Sequence, residues 1–176
     1  MPGGTFVSSI QLISKRLKPI RMKSSFKVCS FFFALLFSAT VSGQSPNVLT
    51  VQNDFAAFGR GDIATIIQST TDNVVWKHAG NPSVVTFAGT YNGHEGVGRF
   101  FQNVGSSVNI TVFEPQNFVE NGNTVTSTIL IKGTVLATGK EYNSTMDMVF
   151  TFDDAGKVTN WEAKGDIAGL EAAFTK

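Results

Sequence analysis

The chain is poor in the residues that bind metals and form disulfides. Its 176 residues include one cysteine, Cys29, and two histidines. A single cysteine excludes an internal disulfide framework, and so few thiol and imidazole groups argue against a structural zinc site. The sequence also lacks a glycine-rich phosphate loop, a GxSxG motif and paired metal-ligand spacing. We therefore expect neither a metal nor a cofactor.

Acidic residues are missing from the first 43 positions, where basic residues are crowded together. The basic residues there precede the apolar residues 28–42, and they are Lys15, Arg16, Lys18, Arg21, Lys23 and Lys27. The apolar run ends in the small residues Val41-Ser42-Gly43, a pattern typical of a secretory signal peptide. We expect residues 1–43 to be cleaved off, with Met22 as an alternative start of translation.

The apolar run, about 15 residues long, is shorter than the roughly 20 residues needed to span a bilayer. We expect a secreted or periplasmic protein without a stable membrane span after cleavage; the alternative is an uncleaved N-terminal membrane anchor. Fourteen basic residues less these six leave eight against thirteen acidic residues in the mature chain, a net charge of −5. An acidic protein without a basic stripe is a poor candidate for nucleic acid binding.

Apolar periodicity predicts two helices at the start of the mature chain. The first covers residues 47–58, and its apolar face consists of Val48, Val51, Phe55 and Phe58. Gly59 is expected to end it, because glycine readily adopts the left-handed conformation of a C-terminal cap. Asp62 is expected to cap the second helix, which buries isoleucines.

A strand over residues 74–78 follows, with Val74, Trp76 and His78 on one face. The turn Asn92-Gly93 then leads into a third helix over residues 94–104.

The second half of the chain alternates between apolar and polar residues and is rich in β-branched side chains, which predicts an antiparallel meander. The expected strands cover residues 108–113, 115–119, 124–135, 142–152 and 158–164. The break between the first two is placed at Pro115, and Asn121-Gly122 predicts a hairpin. Asp166 is expected to cap a short final helix over residues 167–174.

Three helices, a run of strands and a short C-terminal helix predict one α+β domain over residues 44–176. We expect a cone-shaped barrel, in which a curved antiparallel sheet of five to six strands with a mixed edge wraps over the helices. Long strands with helices on one side leave an apolar cavity between the two layers.

Five short motifs occur in a fixed order along the mature chain. They are FAAFGRGD at 55–62, VVW at 74–76, GTYNG at 89–93, GVGRFF at 96–101, and Trp161 followed by DIAGL at 166–170. This series resembles the nuclear-transport-factor-2-like fold, and more narrowly its SnoaL-like branch. The resemblance covers residues 51–174 and implies a homodimer paired through the sheet face. It implies no single reaction, since such relatives include isomerases, cyclases, epoxide hydrolases, dehydratases and proteins without chemistry.

Two enzymatic patterns of the family can be compared with this sequence. Steroid-isomerase relatives carry a carboxylate base at the end of the first strand, where this chain has Trp76-Lys77-His78, so the resemblance argues against steroid isomerisation of the usual type. SnoaL-type cyclases carry an acidic residue just after the last strand, and Trp161 and Asp166 match that segment. Lys164 stands where an arginine is often found, and Gly165 replaces an acidic neighbour.

His78 and Asp166 are the candidate catalytic residues, because imidazole and carboxylate groups transfer protons. Alternatively, His78 only bonds to backbone at a strand end and Asp166 only caps a helix. The candidate ligand-binding residues are Phe58, Trp76, Tyr91, Phe101, Tyr142, Met146, Met148 and Trp161. The two methionines form a soft wall that cannot exchange protons, which favours binding over catalysis.

The sequence thus leaves more than one function open. The first hypothesis is an exported, homodimeric protein that binds a small hydrophobic molecule. The alternative is a cyclase, isomerase or hydrolase that uses His78 or Asp166 as acid or base, and a pure interaction module is a third. Asn109 and Asn143 also match the N-glycosylation acceptor pattern.

Overall fold

The computed structural model describes residues 44–176. The predicted signal segment, with Cys29 and the alternative start at Met22, lies outside the described residues.

Helix α1 spans Pro46–Arg60 and helix α2 spans Ile63–Gln68. Ser45 begins α1 by accepting a hydrogen bond from the Val48 amide at 3.2 Å, and proline is well suited to the first turn because its missing N–H is not needed there. The expected end at Gly59 is wrong: α1 continues to Arg60, and Gly61 is the left-handed cap, with φ 71°. Asp62 caps α2 as predicted, since its Oδ1 accepts from the Thr65 amide at 3.2 Å.

Strand β1 covers Thr70–His78, and its alternation buries one face as predicted. Strand β2, Gly89–Asn92, pairs antiparallel with β1 and was not predicted. It runs directly into helix α3, Gly93–Ser107, which is longer at both ends than expected.

Four long strands complete the sheet: β3 Val108–Asn121, β4 Thr124–Val135, β5 Glu141–Phe152 and β6 Val158–Gly165. The expected break at Pro115 is wrong, because β3 is continuous through it, with register shifts between Ile110 and Val112 and between Gln116 and Val119. An edge strand tolerates proline, since an amide hydrogen bond is not required on its free side.

The sheet order is β2-β1-β6-β5-β4-β3. Strands β1 and β6 pair in parallel and every other neighbouring pair is antiparallel. The predicted α+β class, the mixed sheet of six strands and the N-terminal helices are confirmed. The curved sheet is not a closed barrel, because β2 and β3 remain as edges.

Helix α4, Ala168–Phe174, packs mainly on β5. The expected cap at Asp166 is wrong: Ile167 precedes the helix, and no side chain caps it. The Asp166 amide instead donates to the Thr145 carbonyl at 3.3 Å, which extends the hydrogen bonding between β5 and β6.

One face of the sheet forms the core together with the helices. In β4 and β5 every second side chain is buried, so the strand alternation alone turns one row of each strand inward. None of the helices in the described part of the chain is long and apolar enough to cross a membrane.

Candidate functional site

A cavity of about 80 Å³ lies between the helices and the buried face of the sheet, and it is partly open to solvent. All four helices and strands β1 and β3–β6 contribute to its lining, which is mostly aliphatic and aromatic. The predicted apolar cavity is therefore present.

Two tryptophans form one wall. Trp76 on β1 and Trp161 on β6 are aligned partners in the parallel pair. Their rings stack with centroids 4.3 Å apart and an interplanar angle of 16°. Phe100 and Phe101 on α3 pack against this stack, with centroids 5.4 Å and 5.7 Å from Trp161 and Trp76, respectively. The GVGRFF motif thus places two adjacent rings on the wall.

The half-buried part of the lining lies on α1, α3 and β3, and we infer that the cavity opens there. These elements carry the lining residues whose side chains are only half-buried, namely Phe55, Phe58, Phe101, Ile110 and Phe113. Phe58 has its ring centroid 4.9 Å from that of Phe113 and 5.9 Å from that of Phe101. We call the four phenylalanines of this set, Phe55, Phe58, Phe101 and Phe113, the aromatic rim.

Strand β5 contributes a row of alternate residues. Tyr142, Ser144, Met146 and Met148 are all buried and all line the cavity, so the predicted inward face of this strand is correct. Burial raises the pKa of the Tyr142 hydroxyl to about 12, so it stays protonated at neutral pH. Ser144 donates its hydroxyl hydrogen to the Asp166 carbonyl.

His78 lies at the end of β1, 6% exposed, and lines the cavity. Its Nδ1 lies 2.7 Å from the Ala79 carbonyl. A carbonyl can only accept, so Nδ1 carries the hydrogen and Nε2 is left as an acceptor. Burial lowers the pKa of His78, partly opposed by the bond to Ala79, and the ring is therefore neutral at neutral pH.

Asp54 is a cavity residue that sequence reasoning missed. It lies on α1, is 4% exposed, and accepts a 2.7 Å hydrogen bond from the Ser69 hydroxyl at Oδ2. Burial raises the pKa of this carboxyl to about 7, against the lowering effect of the Ser69 bond. The sequence did contain one signal for the burial of Asp54: it follows Val51 by three residues, which places it next to the predicted buried face of the helix.

Trp76 carries a buried donor that is unused within the described residues, since its indole Nε1 has no hydrogen-bond partner there. A buried donor without a partner costs about 1–3 kcal/mol relative to a paired one. An acceptor atom on a bound molecule would offset this cost.

Two predicted site residues lie elsewhere. Tyr91 does not line the cavity; its ring packs on Phe100 at 5.5 Å and its hydroxyl accepts from the Asn103 amide at 3.1 Å. Asp166 is exposed and also outside the lining. The structure therefore brings His78 together with Asp54 and Tyr142 in one cavity, but not with Asp166.

Within residues 44–176, no group of three or more histidine, cysteine or carboxylate side chains is placed to hold a metal ion.

The comparisons with known proteins agree on the fold. The model of the SnoaL-like domain family matches residues 51–161. The solved structure of an NTF2-like protein from Burkholderia xenovorans is 28% identical, with a TM-score of 0.67, and the match covers 74% of this chain and 96% of that chain. No protein with a curated description matches the sequence.

Two further structures are similar. TerC, solved as a co-crystal with polyporic acid, is 25% identical over 74% of this chain and 98% of that chain, with a TM-score of 0.66. An NTF2-like protein of unknown function from Burkholderia pseudomallei is 24% identical over 75% and 99%, respectively, with a TM-score of 0.68. With the family model matching most of the folded part and these structures sharing its architecture, the chain belongs to the SnoaL-like domain family.

Proposed function

We propose that this protein is an exported SnoaL-like domain that binds a small hydrophobic molecule in the cavity between its helices and its sheet. The observation that carries the proposal is the cavity itself, whose walls are aromatic rings, methionines and aliphatic side chains. Apolar surface of this kind favours an apolar occupant, because transfer from water is worth about 25 cal/mol per Å² buried.

The size of the cavity sets the size of the ligand. In another protein, an engineered apolar cavity of about 150 Å³ stays dry and binds benzene. The space here is about 80 Å³, roughly half of that volume, so a ligand with one ring would fill it and extend outward between the side chains of the aromatic rim. The co-crystal of TerC with polyporic acid supports the proposal, since a similar chain has been crystallised with a small molecule.

A pair of variants tests the cavity directly. Val104 lines it from α3, and Val119 is 58% exposed on β3. Val104→Phe should fill the space, whereas Val119→Phe makes the same chemical change outside it. In an NMR titration with benzyl alcohol, we expect at least tenfold weaker binding to Val104→Phe and unchanged binding to Val119→Phe. Equal affinity for the two variants would contradict the proposal, and native mass spectrometry of the exported protein would identify a retained molecule.

An enzymatic function is the second candidate, and the environment of His78 favours it. A neutral imidazole with Nε2 free as an acceptor is the form that a general base requires. Wild-type protein and His78→Asn would be incubated with a metabolite extract and compared by mass spectrometry. A compound consumed only by the wild type would establish catalysis, whereas identical profiles would leave binding as the function.

The proposal that the protein is exported rests on the basic residues and the apolar run within residues 1–43. Expression of the full chain in a bacterial host followed by fractionation should place the mature protein in the periplasm or medium. N-terminal sequencing should find a new terminus close to Gln44. A full-length chain held in the membrane fraction would favour the N-terminal anchor instead.

A further inference from the structure

The cavity holds a carboxyl group that nothing in the described part of the chain neutralises. Asp54 is 4% exposed, and its Oδ2 accepts the Ser69 hydroxyl hydrogen. Among residues 44–176, no hydrogen bond reaches Oδ1 and no basic side chain forms an ion pair with Asp54. Buried carboxylates are normally paired, because a lone buried charge is costly.

The elements packed around Asp54 place no basic side chain in the cavity lining. Lys157, whose Nζ donates to the Gln68 carbonyl at 2.6 Å, lies outside it. Helix α2, which packs on α1, contains no titratable residue, and the charged residues of β3 and β4 near α1, Glu114, Glu120 and Lys132, are exposed and outside the lining. No lysine or arginine lines the cavity, and its other ionisable groups, His78 and Tyr142, are neutral at neutral pH. Asp54 is thus the one lining side chain with a charge available near neutral pH, and that charge is negative.

Aromatic residues line the cavity from the same helix as this carboxyl group. Asp54 and Phe58 are one helical turn apart on α1, a rise of about 6 Å, and both line the cavity. Phe58 in turn contacts Phe113 and Phe101 in the aromatic rim. The faces of aromatic rings attract cations, and clusters of aromatic side chains are used to recognise ammonium ligands.

From this placement we propose that the ligand of the cavity is an apolar molecule that carries one protonated amine, with Asp54 as the anchor for the ammonium group and the aromatic rim surrounding it. The inference rests on the proposed binding function and assigns the chemical class of the ligand. Above about pH 7 the folded protein already carries Asp54 as a buried carboxylate, so an amine can pair with it there without a further cost for ionising it. The same carboxylate would repel an anionic ligand, and the cavity lining has no lysine or arginine to pair with that ligand.

Three single-ring probes of similar shape test the ligand class on the wild-type protein at pH 8: benzylamine, benzyl alcohol and phenylacetate. The amine is then protonated, and Asp54, with a pKa of about 7, is mostly ionised. We expect benzylamine to bind at least tenfold more tightly than benzyl alcohol in NMR titrations, and phenylacetate to bind most weakly. Benzyl alcohol binding as tightly as benzylamine would overturn the inference while leaving the proposed binding function intact. Binding of no probe would overturn both.

A matched pair of variants assigns the effect to one residue. Asp54→Asn keeps an oxygen for the Ser69 hydroxyl and removes the charge. Asp154→Asn removes the same charge from an exposed position in the hairpin loop after β5. We measure, within each protein, the ratio of the dissociation constants for benzyl alcohol and benzylamine. We expect this ratio to lose its tenfold preference for benzylamine with Asp54→Asn and to keep it with Asp154→Asn. An unchanged preference in a folded Asp54→Asn protein, checked by thermal unfolding, would overturn the assignment.

Discussion

At the scale of single residues, Asp54 couples the cavity to pH. In the unfolded chain its carboxyl loses the proton near pH 3.8, whereas in the folded protein it keeps the proton up to about pH 7. Between these values the folded state binds more protons than the unfolded state, so the free energy of unfolding falls as the pH rises. The difference between the two pKa values corresponds to about 4 kcal/mol.

Asp54→Asn should remove this decrease in the free energy of unfolding with rising pH. We expect the variant to match or exceed the wild type in stability at pH 8, with the advantage shrinking toward pH 4. Urea unfolding at several pH values measures the difference in stability between the variant and the wild type. The comparison isolates Asp54, because His78 titrates in the opposite sense in both proteins: burial lowers its pKa, so its contribution to stability is lost as the pH falls. Parallel pH profiles for the two proteins would show that Asp54 ionises normally.

The residues of the site differ in how well their positions can be predicted from the sequence. Trp76, Met146 and Met148 follow from strand alternation, which states directly which side chains point inward. Tyr91 lies on a four-residue strand without such a pattern, and its contacts with Phe100 and Asn103 depend on where α3 packs. Asp54 was hidden because a charged residue on a helix is ordinarily assigned to the solvent side.

At the scale of elements, the two glycines near the end of the first helix have different structural roles, although they look alike in the sequence. Gly59 lies inside α1 with open space around it, whereas Gly61 has φ 71° and ends the helix. Local sequence offers two glycines two residues apart and does not say at which one the chain turns. The helix continues past Gly59 because Gly61 supplies the amide that bonds to the Phe58 carbonyl at 2.9 Å.

Alanine at the two positions should therefore act in opposite directions. Gly61→Ala forces a side chain into the left-handed region and should lower the free energy of unfolding by about 1–2 kcal/mol. Gly59→Ala replaces glycine within a helix and should raise it by about 0.5–1 kcal/mol. Chemical denaturation of both variants measures the difference. The same sign for both would contradict the assignment of Gly61 as the cap.

Strands β4, β5 and β6 were predicted to within one residue at each end, whereas β2 was not predicted. In β4 and β5, ten or more residues alternate between buried and exposed positions, and this pattern marks where each strand begins and ends. Strand β2 has only four residues and forms because it pairs with β1. Asp166 was misassigned for a related reason. Its amide joins β5 through the Thr145 carbonyl, a long-range bond that the local sequence Gly-Asp-Ile cannot show.

At the scale of the whole molecule, the outer face of the sheet is rich in threonine and only partly apolar. We propose that two copies of the mature chain pair through this face, since Leu130 and Val149 lie there half-buried among polar neighbours. Light scattering after size-exclusion chromatography should then give twice the monomer mass. Leu130→Arg should yield monomers, because it places a charge in the centre of the contact.

Leu49→Arg is the matched control for that experiment. Leu49 is 45% exposed on α1, away from the sheet, so the substitution should leave the dimer intact. A monomeric wild-type protein, or dissociation by both substitutions alike, would contradict pairing through the sheet.

The stacked indoles give the molecule a built-in optical signal. The chain has two tryptophans, and both Trp76 and Trp161 lie in the cavity wall with centroids 4.3 Å apart. All tryptophan emission therefore originates beside the cavity, and we expect the two neighbouring chromophores to produce a paired band in circular dichroism. A change in emission on adding a compound would report occupancy without a label, and the disappearance of the paired band would report the separation of β1 from β6.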